Sequence, residues 1–161
     1  MDTTAIQPSA HTQTATRVIF WAGLIAGTLD LTGACVVSWL RTGTAPVRIF
    51  QSVASGLYGQ ASFTGGAKTA VLGVVLHFII ATTWAAVYYL ASRRLSFLIA
   101  HTIISGVAYG VFVWLFMNFV VLPLSAITIR PVPLSSRIIS MLIIIFCIGL
   151  PIAFIVRRLS K

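Results

Sequence analysis

Four long apolar runs, each bounded by basic residues or by proline, constrain this chain more than any other feature. The first covers residues 18–40, between Arg17 and Arg41, and the second residues 69–91, between Lys68 and the pair Arg93-Arg94. The third starts at Phe97 and runs to Leu122, where Pro123 is expected to stop it; the fourth covers 138–156, between Arg137 and Arg157-Arg158. Each is near the roughly 20 residues that cross about 30 Å of hydrocarbon at about 1.5 Å per residue. Lipid offers the backbone no water to bond, so such runs must be helices. The fold expected is all-α and polytopic, four transmembrane helices in a bundle. Composition leaves little alternative, because 58% of residues are hydrophobic and only 8% are charged. A soluble domain carries roughly 25% charged residues to cover its surface.

The segments between the runs have their own signals. Residues 1–17 are rich in Thr, Ser and Gln and are expected to form a flexible tail, leaving 18–161 as one domain. Between the first two runs, "APVRIFQSVASGLYG" sets Ile49, Phe50, Val53 and Leu57 on one helical face, with Arg48, Gln51, Ser52 and Ser55 elsewhere. That pattern predicts a short amphipathic helix lying in the membrane interface, ended by "SFTGG". The loop before the fourth run has three prolines, Pro123, Pro131 and Pro133, and reads as an extended cap. The first run is too long for the apolar part of an ordinary cleaved signal and is expected to be retained as a span.

Net charge is +9, from eleven Lys and Arg against two acids. The cations flank apolar runs instead of forming one basic patch with interleaved aromatics, so they read as membrane anchors and not as a nucleic-acid surface. An even number of spans puts both termini on one side. "SRR" and "RRLSK" place dense positive charge close to helix ends on that side, which predicts cytoplasmic termini. Cys35 and Cys147 both fall inside apolar runs and show neither disulfide nor zinc spacing.

One carboxylate, Asp30, lies inside the apolar body; the other acid is Asp2. Helical spacing sets Asp30 on a stripe with Gly23, Gly27 and Ala34, small residues that admit a neighbouring helix. A second stripe, Gly106 and Gly110, continues through Trp114 and Asn118. Asp30 should therefore face other helices, because a charged Asp facing lipid at mid-depth costs roughly 2.5–3.5 kcal/mol even on insertion scales. Counting from the helix ends that share a side puts Asp30 at about 18 Å depth and His77 at about 21 Å. The two are expected to meet. Asn118 is a further candidate for this intramembrane polar site, and Pro151 should kink the fourth helix.

Other chemistries find no support in the residues. His77 and His101 differ in depth by about 15 Å, too far for bis-histidine haem. No His, Cys and carboxylate cluster has metal-ligand spacing, no nucleophile motif surrounds Asp30, and "TGG" lacks the phosphate-loop pattern. The chain is expected to need no cofactor or metal and not to be an enzyme.

The segments "GLIAGTLDLTGA", "RIFQSVASGLYG", "GGAKTAVLGVVLHF", "YYLASRR" and "FMNFVVLPLSA" together resemble a widespread family of small bacterial inner-membrane proteins, distantly similar to the YagU-like proteins. The resemblance covers about residues 18–126. It implies four helices in a bacterial inner membrane and carries no catalytic residue. The function expected is structural or accessory, with the bilayer and either further copies of this chain or a membrane complex as partners. The alternative is an oligomeric small transporter or channel component using Asp30 and His77 as a proton or substrate site.

Overall fold

The computed structural model describes residues 10–128 and 132–160. Among these there is no strand, and four helices are long and apolar enough to cross a membrane: span 1 (Thr14–Thr42), span 2 (Gly66–Arg94), span 3 (Thr102–Leu124) and span 4 (Leu134–Leu159). A connecting helix, Pro46–Tyr58, and a short 3-10 turn, Gly59–Phe63, lie between spans 1 and 2. This is the all-α four-helix bundle that run length and composition demand.

Several boundaries differ from the sequence expectation, each for a local reason. Helix already begins at Ala10, so the expected tail is helical in its second part, and residues 1–9 lie outside the described residues. No proline or glycine falls between Ala10 and Arg17, and extending a formed helix is far cheaper than starting one. Span 1 ends where Gly43 takes φ +66°, its N–H bonding Trp39 O at 2.9 Å. The third run is not one helix from Phe97. A single turn, Phe97–Ala100, is followed by a break at His101 (φ −110°, ψ 57°) before span 3 starts. The Tyr88 hydroxyl donates to Leu98 O at 3.0 Å, capping a carbonyl that the next helical N–H would otherwise take. His101 sits in that break with its ring against Phe97, centroids 5.0 Å apart.

One proline acts differently from the expectation. Pro123 does not stop span 3, which continues to Leu124, and Pro151 lies within span 4. A wider π-type turn precedes each one at the same offset: Met117–Val121 before Pro123 and Ile145–Gly149 before Pro151. A π turn moves hydrogen bonding to the fifth residue, which absorbs the proline's missing N–H without ending the helix.

The connecting helix starts on an extended Ala45 followed by Pro46, a favoured first helical residue. It packs on the bundle through its small and polar side. Gln51, Ala54 and Ser55 are the buried residues, whereas Leu57 is exposed. Small side chains let this helix lie directly on span 2: a Cβ on Gly73 would collide with the Phe50 carbonyl oxygen. Gln51 is satisfied there, its amide donating to Gly66 O at 3.1 Å.

Tight packing concentrates toward the end of the bundle where span 1 begins and span 4 ends. Val18 and Ala22, Trp84, Ala85 and Tyr88, and Ile152 and Val156 form one buried cluster there. Tyr109 Oη donates to Trp84 O at 2.6 Å, and Arg157 Nη1 donates to Thr102 Oγ1 at 3.1 Å, tying spans 2, 3 and 4 together. Large apolar side chains such as Leu29, Val71, Ile103 and Phe146 remain exposed. On a membrane-spanning bundle these are the groups that meet lipid.

Candidate functional site

The two glycine stripes lie in two different helix seams. In the seam of spans 1 and 2, a Cβ on Gly23 would stand 2.6 Å from Thr82 Oγ1 and 2.7 Å from Thr82 Cα. One on Gly27 would stand 3.0 Å from Ala81 Cβ and Phe78 Cδ1. In the seam of spans 3 and 4, a Cβ on Gly110 would stand 2.6 Å from Ile145 Cα, and one on Gly106 2.9 Å from Leu150 Cδ2. Gly149 completes this seam from span 4, lying against Gly106 O and the Gly110 backbone. Gly149 was not singled out in the sequence, although a glycine two residues before a mid-span proline is a readable signal.

Close approach in the first seam brings polar groups together. His77 Nε2 lies 2.9 Å from Gly27 O. A carbonyl can only accept, so Nε2 must carry the proton and donate. The bond runs from the side chain of span 2 to the backbone of span 1, using the second lone pair of a carbonyl already inside a helix. Asp30 Oδ2 lies 4.0 Å from the same nitrogen, an ion-pair distance beyond hydrogen-bond reach. Neither side chain is fully enclosed: His77 is 12% exposed and Asp30 19%. Span 4 also reaches span 1 one turn further along, where a Cβ on Gly33 would stand 3.5 Å from Cys147 Sγ.

Asn118 is placed apart from this pair. Its amide donates to Trp114 O at 2.8 Å within span 3. It lines a cavity of about 430 Å³ with Trp114, Phe119, Val132 and Arg137, whose wall contains neither Asp30 nor His77. Trp114, on the same stripe, donates its indole N–H to Ser140 Oγ at 2.9 Å and so bonds span 4. Ser140 was not anticipated; a lone hydroxyl near the start of an apolar run was its only signal. Among the described residues no group of three His, Cys, Asp or Glu side chains is arranged to hold a metal ion.

Fold and hydropathy together define a multi-pass integral membrane protein built as a four-helix bundle. No family model matches the chain, and no curated protein or solved structure matches it significantly.

Proposed function

We propose that this chain is a structural or accessory protein of a bacterial inner membrane, without enzymatic activity, with both termini in the cytoplasm, working as a homo-oligomer or within a membrane complex. The observation that carries this reading is the His77–Gly27 hydrogen bond with Asp30 beside it. A histidine committed to the backbone of a neighbouring span is a helix clasp, and it positions the one carboxylate of the apolar body. The bacterial inner membrane comes from the resemblance of residues 18–126. The orientation comes from Arg93-Arg94 and Arg157-Arg158 at the ends of spans 2 and 4.

A second reading keeps the pair as a proton or substrate site in an oligomeric transporter. It is favoured by the 4.0 Å gap and by the 19% exposure of Asp30, which leave the carboxylate free to take another partner. Two measurements separate the readings. Affinity capture from native membranes should recover either the chain in defined multiples or a stoichiometric membrane partner. Reconstituted liposomes should show no proton flux above empty vesicles. Flux that rises with protein and is abolished by Asp30→Asn would replace the accessory reading with the transport one. Orientation is tested by single cysteines in a background lacking Cys35 and Cys147. Gln60→Cys should react with an impermeant thiol reagent added outside, and Ser96→Cys only after the membrane is opened; the reverse pattern inverts the topology.

A further inference from the structure

A cavity of about 630 Å³ lies between the connecting helix, span 2 and the end of span 3. That is within the roughly 300–1,000 Å³ of small-molecule sites. Its walls are fastened to one another: Ala126 N–H donates to Gly56 O at 2.9 Å, tying the segment after span 3 to the connecting helix. Thr69 Oγ1 donates to Ser62 O at 2.6 Å, tying the 3-10 turn to span 2.

The lining is graded from polar to apolar. Arg48, Gln60, Ser125 and Thr128 line it from the connecting segments at one end of the bundle. Ile80, Met117 and Val121 line it from within the spans. Ile80 is fourteen residues past Gly66, about 21 Å along span 2 at helical rise. The cavity therefore joins the charged end of the bundle to its hydrocarbon depth.

Among the described residues Arg48 has no anionic partner in this space. Its guanidinium carbon stands 5.0 Å from the Phe63 ring centroid, a cation–π contact that fixes its position without neutralising its charge. Asp30, the one acid among the described residues, stands against His77. A net charge of +9 means that counter-charge must come from outside the chain. At a membrane surface, arginine meets phosphate or carboxylate headgroups, and its planar fork binds them in two-point fashion.

We propose that this cavity binds an anionic amphiphile, its phosphate or carboxylate head on Arg48 and its acyl chain against Ile80, Met117 and Val121. Membrane phospholipid and a free single-chain acid share that chemistry. The test uses the full chain purified in detergent, its melting temperature followed against added dioctanoyl phosphatidylglycerol, dioctanoyl phosphatidylcholine or octanoate. Phosphatidylglycerol should raise the melting temperature saturably and phosphatidylcholine should not. Arg48→Gln should weaken the apparent affinity at least about tenfold, the loss a charge-assisted hydrogen bond implies. Arg93→Gln removes the same charge at the opposite end of the bundle and should leave the affinity unchanged. A saturable shift with octanoate alone, equally dependent on Arg48, keeps the proposal and makes the ligand a free acid. The proposal fails if neither anionic probe shifts the melting temperature, if phosphatidylcholine matches phosphatidylglycerol, or if the two arginine variants lose affinity alike. Should Arg48→Gln not survive extraction, Val53→Trp fills the cavity from the connecting helix. It must abolish the shift, and a shift that persists in this variant overturns the proposal.

Discussion

The seam between spans 1 and 2 and the seam between spans 3 and 4 are built on the same residue pattern, two glycines four apart, yet they differ in what the close approach accomplishes. In the first, Gly23 and Gly27 oppose Thr82, Ala81 and Phe78, and the proximity lets His77 reach a backbone carbonyl beside Asp30. In the second, Gly106 and Gly110 oppose Ile145, Gly149 and Leu150, and backbone meets backbone through apolar contact. Without a hydrophobic drive between helices in lipid, both seams rest on van der Waals packing. At the glycines themselves only the first adds a polar bond; the second seam has its polar bonds beyond them, Trp114 to Ser140 and Arg157 to Thr102. A small-residue stripe is thus a means of approach, and the residues beside it decide whether the result is a dry joint or a polar clasp.

Substitution of the glycines should break the two seams unequally. Gly110→Leu meets the Ile145 backbone at Cα and N, which cannot rotate away, and should cost about 3 kcal/mol, the upper part of the overpacking range. Gly27→Leu meets the side chains of Ala81 and Phe78, and Phe78 can swing aside, so about 1–2 kcal/mol is expected. Melting in detergent ranks them. Equal losses would mean that the clasp seam is as rigid as the other, and a larger loss for Gly27→Leu that it is the more rigid of the two.

The smallest effect sharpens the contrast. His77→Leu and Asp30→Asn should each cost about 1 kcal/mol, the usual worth of one hydrogen bond or close polar contact. If the two side chains act as one unit, the double variant should fall short of the sum by about 0.5 kcal/mol or more. Strict additivity would show that His77 serves only the Gly27 carbonyl and that Asp30 stands there for another partner.

How much of this was legible depended on whether a property is periodic or local. The spans and stripes are periodic: run length, flanking Arg and Lys, and four-residue glycine spacing place Gly23, Gly27, Gly106 and Gly110 in seams without any knowledge of the partner. The proximity of Asp30 and His77 follows from depth counting, which works because helical rise is constant. What was not legible is local and reciprocal. The burial of Gln51 in the connecting helix follows from the absence of a side chain at Gly73, which lets the Phe50 backbone settle on span 2 and carry Gln51 inward. The break at His101 depends on a hydroxyl ten positions upstream of Leu98, in Tyr88, competing for a carbonyl. Asn118 shares a stripe with Gly110, but its amide is consumed by Trp114 O within its own helix. Helical spacing can assign a face; it cannot say which acceptor a side chain will choose.

The widened turn Ile145–Gly149 also fixes how span 4 tolerates length changes. A π turn holds one residue more than the α-helix around it, so it behaves as an insertion already accommodated. Each residue in an α-helix turns the chain by about 100°, and a single deletion ordinarily swings everything beyond it onto a different face. A deletion within 145–149 would instead convert the wide turn to a regular one and leave Ile152, Ala153 and Val156 directed at the core they now fill. The same deletion placed after Pro151 would turn the rest of that buried set toward lipid. Span 4 therefore has one place where the chain can lose a residue without losing its alignment, and it is the segment that faces Gly110.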